Sequence, residues 1–143
     1  MINLFLDTNV VIDFLTDRKP FSHQAGKLID YSVKGEVKLY LSAVSFSNIY
    51  YIVKKVSSHK EAIRILNRLD EMTEIIDTTS SIIKNALDSE FKDFEDAIQY
   101  FSAKLNSNIN GIVTRNGGDF KHSTISILTP EEAIKFIESS TRQ

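Results

Sequence analysis

The sequence predicts a single α/β domain, with a mostly parallel sheet of about five short strands flanked by about seven helices. Short apolar runs of strand length alternate along the chain with segments of helical periodicity, which is the pattern of β-α units. A chain of 143 residues with 42% hydrophobic residues suits one domain around one core. The chain has no cysteine, so disulfides, cysteine-based zinc sites and thiol nucleophiles are excluded.

The first half of the chain contains two predicted strands and four predicted helices. Pro20 interrupts the first helical segment, and Gly35 ends the second. In the third helix the apolar residues from Phe46 to Val56, including Ile52, recur at helical spacing, and in the fourth Ile63, Leu66 and Leu69 are predicted to face inward. The elements in order are a strand at 2–6, helices at 10–15 and 22–33, a strand at 37–41, and helices at 45–56 and 58–72.

The second half continues the alternation and ends on a well-marked helix start. Thr129, Pro130 and Glu132 supply an N-cap, a proline at the first helical position and a capping glutamate, so the last helix begins there. The domain core is predicted at 2–137, with a short tail at 138–143. The other predicted elements are a strand at 73–77, helices at 80–88 and 93–105, and strands at 111–114 and 124–128.

Acidic residues fall where predicted strands end. Asp7 directly follows the first buried strand, at the edge where open α/β sheets place their ligands. Asp93 and Asp96 lie three apart at the start of one helix, and Asp119 follows a later strand. Because parallel strands end at a common edge, we expect Asp7, Asp96 and Asp119 to converge there.

Each acidic segment also has a local explanation. Asp7 could simply be the N-cap of the next helix. Acidic residues in a first helical turn, such as Asp93 and Asp96, are favoured by the helix dipole. The Asn116-Gly117-Gly118 segment is typical of a tight turn, although a turn does not explain why residue 119 is an aspartate.

Taken together, these segments resemble the PIN domain, a family of metal-dependent nucleases that includes toxins of bacterial toxin-antitoxin pairs. The resemblance spans residues 2–137, and its strength lies in the order and spacing of several short motifs. The matching segments are Leu6-Asp7-Thr8-Asn9-Val10, Leu41-Ser42-Ala43, Asp93-Phe94-Glu95-Asp96-Ala97, and Thr114-Arg115-Asn116 with Asp119-Phe120.

The resemblance implies that Asp7, Asp96 and Asp119 hold Mg²⁺ or Mn²⁺ and that the protein hydrolyses RNA. Asn48 stands where the family commonly has a glutamate, and a neutral amide favours one firmly held ion over two. The implied biology is a toxin with an antitoxin partner, a homodimer and a cytoplasmic location. The remaining supporting positions are Asp93, Asn9, Thr114 and Asn116.

Contact with RNA needs a local basic surface, because the formal net charge of the chain is −2. The densest basic region lies across the third and fourth predicted helices, and we interpret it as a phosphate-contacting patch. A solvated helix face is the competing interpretation. The residues predicted to contact nucleic acid are Arg115, Lys54, Lys55, Lys60 and Arg64.

The three histidines and two further aspartates show no pattern of a functional site. His23, His59 and His122 are predicted to be surface residues, and Asp13 and Asp17 to be solvated. From the amino-terminal residues we predict neither a signal peptide nor a membrane span. A PIN-like module that binds RNA or protein without cutting is the alternative. A phosphatase of the haloacid dehalogenase type is a weaker one, because it needs an aspartate where residue 9 is asparagine.

Overall fold

The computed structural model describes residues 1–121 and 123–141, and the described residues form five parallel strands and seven α-helices. The predicted fold class is confirmed. The strands are β1 Ile2–Leu6, β2 Val37–Ser42, β3 Glu74–Ile76, β4 Gly111–Val113 and β5 Ile127–Leu128. The helices are α1 Thr8–Leu15, α2 Phe21–Val33, α3 Ala43–Val56, α4 His59–Met72, α5 Ser80–Leu87, α6 Phe94–Lys104 and α7 Pro130–Thr141.

The sheet has the strand order β3-β2-β1-β4-β5, so β1 is its central strand. The chain builds outward from β1 in one direction through β2 and β3, and then in the other through β4 and β5. Leu6 pairs in register with Val113, which sets Asp7 beside Thr114 where the two strands end. The crevice between β1 and β4 is therefore the switch point at which α/β sheets bind ligands.

The core lies on both faces of the sheet, because successive strand residues point to opposite sides. Leu4 and Leu6 of β1 pack on one side among side chains from α1, α2, α3, α4 and α7. Phe5 packs on the other side with Tyr100 of α6 and with Phe120. These β1 side chains are at most 1% exposed, so the central strand is fixed from both faces.

Local signals in the sequence set several helix ends. Gly35, with φ of 79°, follows α2 in the left-handed conformation that glycine adopts without strain. Its N–H donates to the Ser32 carbonyl, and the next N–H donates to Tyr31, which completes a Schellman motif. At α7 the backbone N–H of Thr129 donates to Glu132 at 2.9 Å, and the reciprocal bond is 3.1 Å, so the predicted capping box is confirmed.

Some boundaries and helix faces differ from the predictions. β5 has two residues where five were predicted, and α7 continues through Thr141 into the segment predicted as a tail. Ile63 was predicted to face inward but is 40% exposed, and Ile52 and Val56 of the apolar pattern in α3 are 37% and 77% exposed, because α3 and α4 bury a narrower stripe than their apolar spacing suggests. No helix within the described ranges is both long and apolar enough to cross a bilayer.

Candidate functional site

Asp7 lies at the carboxyl end of the central strand and is only 3% exposed. It is the N-cap of α1, since its Oδ1 accepts the Asn9 backbone N–H at 3.3 Å. The same Oδ1 accepts a hydrogen bond from Gln99 Nε2 at 3.2 Å, and Oδ2 accepts one from Thr114 Oγ1 at 2.8 Å. Capping therefore explains only one of three hydrogen bonds that hold this carboxylate.

Gln99 is a site residue that the sequence reasoning missed. Its side chain is 1% exposed, and its Oε1 accepts hydrogen bonds from the backbone N–H of Thr8 at 3.0 Å and from Thr8 Oγ1 at 3.3 Å. Thr8 Oγ1 lies 2.6 Å from Ser45 Oγ on α3. The amide thus connects α6 to the start of α1, and through Thr8 to α3. The available signal in the sequence was its spacing, since Gln99 lies three residues after Asp96 and therefore beside it on the helix surface.

Asp93 and Asp96 occupy the first turn of the helix that carries Gln99. Asp93 is the N-cap of α6, and its Oδ1 accepts the Asp96 backbone N–H at 3.0 Å. Burial raises the pKa of Asp96 to about 7, and the charges of Asp93, Asp7 and Asp119 add to the rise. Asp96 therefore lies close enough to all three carboxylates for their negative charges to act on it.

Asp119 belongs to a 3₁₀ turn, Gly117–Phe120, that follows β4. The next residue, Phe120, is 1% exposed and packs in the core, which anchors the turn while the Asp119 side chain stays exposed. The turn and the start of α6 enclose a cavity of about 210 Å³. It is lined by Glu90, Phe91, Lys92, Asp93, Asp96, Gly118, Asp119 and Lys121.

The donor set fits a hard divalent cation held partly through water. Within residues 1–121 and 123–141, no three acidic or histidine side chains form a ready-made metal-binding group. Mg²⁺ does not need one, because it binds through one or two carboxylates and keeps several waters. Burial, and after it the neighbouring carboxylates, raise the pKa of Asp96, and a divalent cation beside Asp96 would favour its charged form.

Three of the other predicted supporting residues, Thr114, Asn9 and Asn116, belong to the hydrogen-bond network around Asp7. Thr114 is fully buried and contacts Asp7 directly. Asn9 and Asn116 contribute backbone N–H groups: that of Asn9 binds Asp7, and that of Asn116 binds Thr114 Oγ1 at 3.1 Å. Asn48 is half-buried in α3, one turn beyond Ser45, and offers only a neutral amide.

The prediction that Asp13 is solvated was wrong. Asp13 is 2% exposed, and its carboxylate accepts bonds from Arg115 Nε at 2.6 Å and Nη2 at 3.1 Å. The guanidinium also lies over the Phe21 ring, with its carbon 3.9 Å from the centroid. Arg115 therefore ties the segment after β4 to α1. Asp17 is exposed and pairs with Lys19, in line with its prediction.

Lys54 and Lys55, in the basic region predicted to contact phosphate, lie at the end of α3 that is remote from β2. α3 begins where β2 ends, and the nine helical steps from Ser45 to Lys54 span about 14 Å along the helix axis. Lys54 and Lys55 therefore belong to the far end of α3. Lys60 is exposed in the first turn of α4, and Arg64 in the same helix pairs with Glu61.

Two of the three histidines, His23 and His59, lie within the described residues. His23 and His59 are exposed, as predicted, and His59 Nδ1 lies 2.7 Å from the Tyr50 hydroxyl. The prediction for His122 falls outside the described residues.

The sheet is parallel, and its strand order reverses beside a group of carboxylates. These features define the class of the protein, which is an α/β protein with an acidic site at the carboxyl edge of its sheet. The family model of the PIN domain matches residues 3–117. The chain belongs to the PIN domain family. The matched region contains Asp7 and Asp96 and stops just before Asp119.

Several proteins are similar to this chain, in sequence or in fold, over most of their length. Ribonuclease VapC1 of Aquifex aeolicus (strain VF5) is 26% identical over 134 residues, which cover 90% of this chain and 91% of that protein. VapBC-1 of nontypeable Haemophilus influenzae superposes with a TM-score of 0.67 at 17% identity, covering 91% of this chain and 99% of that one. A toxin-antitoxin complex from Klebsiella pneumoniae gives 0.65 at 22% identity, covering 89% and 97%.

Proposed function

We propose that this protein is a ribonuclease that hydrolyses RNA phosphodiester bonds with Mg²⁺ or Mn²⁺ and acts as the toxin of a toxin-antitoxin pair. The observation that carries the proposal is that Asp96 and Asp119 line one cavity at the switch point of a PIN domain, with Asp7 near enough for its charge to raise the pKa of Asp96. The ribonuclease named among its relatives supports the activity.

Charge explains why this site would require a cation. A phosphodiester is an anion, so a group of carboxylates without a counter-charge would repel the substrate. A bound divalent ion supplies that counter-charge and lowers the pKa of a coordinated water. The proposed ligands are Asp7, Asp96 and Asp119, which are the carboxylates predicted from the sequence.

The three carboxylates would play different parts. Asp7 is buried and held by three hydrogen bonds, so it serves as the fixed ligand. Asp96 and Asp119 line the open cavity, where they can hold the ion and orient a water for in-line attack on phosphorus. The hydrolysis needs no covalent intermediate on the protein.

Two lysines that line the same cavity are better placed to contact the phosphates of bound RNA than the predicted basic region is. Lys92 and Lys121 line the cavity together with Asp96 and Asp119. Because exposed charges are screened beyond about 10 Å at 0.1 M salt, a lysine at the cavity acts on a bound phosphate more strongly than Lys54 does. We include both cavity lysines among the proposed phosphate contacts.

The proposed partners are an antitoxin protein and a second copy of the chain. The similarity to the toxin-antitoxin complex from Klebsiella pneumoniae supports the first. Exposed apolar side chains on α3, Tyr51 at 66% and Val56 at 77%, support a protein contact on that helix. The proposed setting is the cytoplasm, where RNA and a co-produced antitoxin are both available.

A non-cutting RNA-binding or protein-binding module is the second candidate. It is favoured by Asn48 at the position where the family commonly has an acid, and by the absence of a preassembled three-ligand group in the described part of the chain. Such a module need not bind Mn²⁺, whereas the proposed nuclease must. Calorimetric titration with Mn²⁺ separates the two candidates.

The test of the nuclease is cleavage of labelled RNA by the purified protein with Mn²⁺, with Mg²⁺ and with a chelator. Asp7→Asn should abolish metal-dependent cleavage and keep the circular dichroism spectrum, because asparagine is also a good N-cap. Asp70→Asn, which changes an exposed carboxylate on α4, is the matched control and should cleave normally. Undiminished cleavage by Asp7→Asn would refute the proposed mechanism.

A further inference from the structure

The two oxygens of the Asp7 carboxylate have different surroundings. Oδ1 accepts two hydrogen bonds, from the Asn9 backbone N–H and from Gln99 Nε2. Oδ2 accepts one, from Thr114 Oγ1 at 2.8 Å. A carboxylate offers about four lone-pair sites, two on each oxygen. The acceptor capacity of Oδ1 is therefore filled, and Oδ2 keeps one site for another partner.

Gln99 can present only its amino group to Asp7. Its Oε1 accepts hydrogen bonds from Thr8 N–H at 3.0 Å and from Thr8 Oγ1 at 3.3 Å. A flipped amide would set its NH₂ group against the Thr8 N–H and its oxygen against the Asp7 carboxylate, and both contacts would be repulsive. With 1% of the side chain exposed, water cannot replace the lost bonds. The network therefore fixes which atom faces Asp7.

We propose that Gln99 is a positioning residue that occupies Oδ1 of Asp7 and leaves Oδ2 as the atom that binds the divalent cation. The inference rests on the proposed function, since it names the atom through which Asp7 would act there. Partners that hydrogen-bond a metal ligand fix its orientation, and their loss costs about 10- to 100-fold in metal affinity. Without Gln99, the carboxylate loses one of its three donors and can rotate away from the cation.

A purely structural role for Gln99 makes a different prediction. In that case its function would be to satisfy the Thr8 N–H, which is buried at the start of α1 and has no partner within the helix. Loss of the amide would then lower the stability of the fold but leave the folded protein with normal metal affinity. Metal affinity measured on folded protein distinguishes the two roles.

The main experiment is calorimetric titration of Mn²⁺ into the full-length protein and its Gln99→Met variant, well below their unfolding temperatures. Methionine matches glutamine in length but cannot donate a hydrogen bond to Asp7. The variant should bind Mn²⁺ about 10- to 100-fold more weakly than the wild type. Wild-type affinity in the folded variant would overturn the positioning role and leave the proposed function standing.

Ser102→Ala provides the matched control. Ser102 is fully buried in the same helix and donates to the Ile98 carbonyl at 2.7 Å, away from Asp7. This variant should lose some stability and keep its Mn²⁺ affinity. A wild-type protein that neither binds Mn²⁺ nor cleaves RNA would instead refute the proposed function, and the assignment of Oδ2 with it.

A second measurement needs no variant and so does not depend on Gln99→Met folding. In the ¹⁵N-labelled wild type, the Gln99 side-chain amide should exchange slowly with solvent and shift when Mg²⁺ is added, because the carboxylate to which it donates becomes a ligand. Saturating Mg²⁺ that leaves this amide signal in place would overturn the inference.

Discussion

Asp96→Asn should stabilise the metal-free protein while removing a proposed ligand. Burial and neighbouring carboxylates raise the pKa of Asp96 from 3.8 to about 7, so the fold favours the protonated form. The stabilisation from this protonation is fully present below pH 3.8 and is lost as the pH rises through about 7. At pH 8 the charged side chain of Asp96 destabilises the fold, whereas the neutral amide of Asp96→Asn does not.

The magnitude follows from the size of the pKa shift. One pKa unit corresponds to about 1.4 kcal/mol, so a shift of about three units sets an upper bound near 4 kcal/mol. Asp96 is only half-buried and solvent screens its repulsion, so we expect about 1 to 2 kcal/mol. For a chain of this length, 1 kcal/mol corresponds to roughly 2 to 4 °C in the unfolding midpoint. Asp96→Asn should therefore unfold several degrees higher at pH 8.

The assay is thermal unfolding followed by circular dichroism with a chelator present, at pH 4.5 and at pH 8. The gain from Asp96→Asn should be largest at pH 8 and shrink at pH 4.5, whereas Asp70→Asn on the exposed face of α4 should show no such dependence. Saturating Mn²⁺ should stabilise the wild type more than the variant, because a ligand stabilises the state that binds it. Equal midpoints at pH 8 without metal would refute the electrostatic reasoning.

Three other changes test separate parts of the site. Asp13→Ala leaves Arg115 without its buried partner and should cost about 3 kcal/mol in urea unfolding; a loss below 1 kcal/mol would show that the pair is dispensable. Thr114→Val removes the donor to Asp7 Oδ2 and should lower single-turnover cleavage by about 10- to 100-fold with the fold intact. Lys92→Ala should flatten the salt dependence of RNA binding, by roughly 0.7 in log-log slope if one phosphate contact is lost, while Lys54→Ala should not; equal slopes for the two variants would place the contacts elsewhere.

Features that depend on neighbours in the sequence were predictable. The capping box at Thr129 and the glycine that ends α2 each use residues within one turn, so they were visible without the fold. The same holds for Asp7, whose place directly after the apolar run Leu4-Phe5-Leu6 marks the carboxyl edge of a sheet. The parallel architecture followed from the alternation of strands and helices, which leaves few other topologies.

Features that depend on distant partners were not predictable. The pairing of Asp13 with Arg115 joins positions 102 residues apart, and helical spacing alone made Asp13 look solvated. Gln99 was overlooked because it lies three residues after Asp96, on the side of the helix read as polar, and its partner Asp7 is 92 residues away. The basic residues of α3 and α4 were judged by their density in the sequence, which carries no information on their distance from Asp7.

The strand β1 is central in the sheet, yet it is synthesised before the other strands and before the helices that complete the site. Two of the three hydrogen-bond donors to Asp7, Gln99 and Thr114, come 92 and 107 positions after it in the chain. At the usual 5 to 20 residues per second, this separation leaves Asp7 without those donors for roughly 5 to 20 s of translation. A nascent or prematurely terminated chain that lacks β4 would therefore lack the finished carboxylate arrangement and could not yet carry out the proposed hydrolysis.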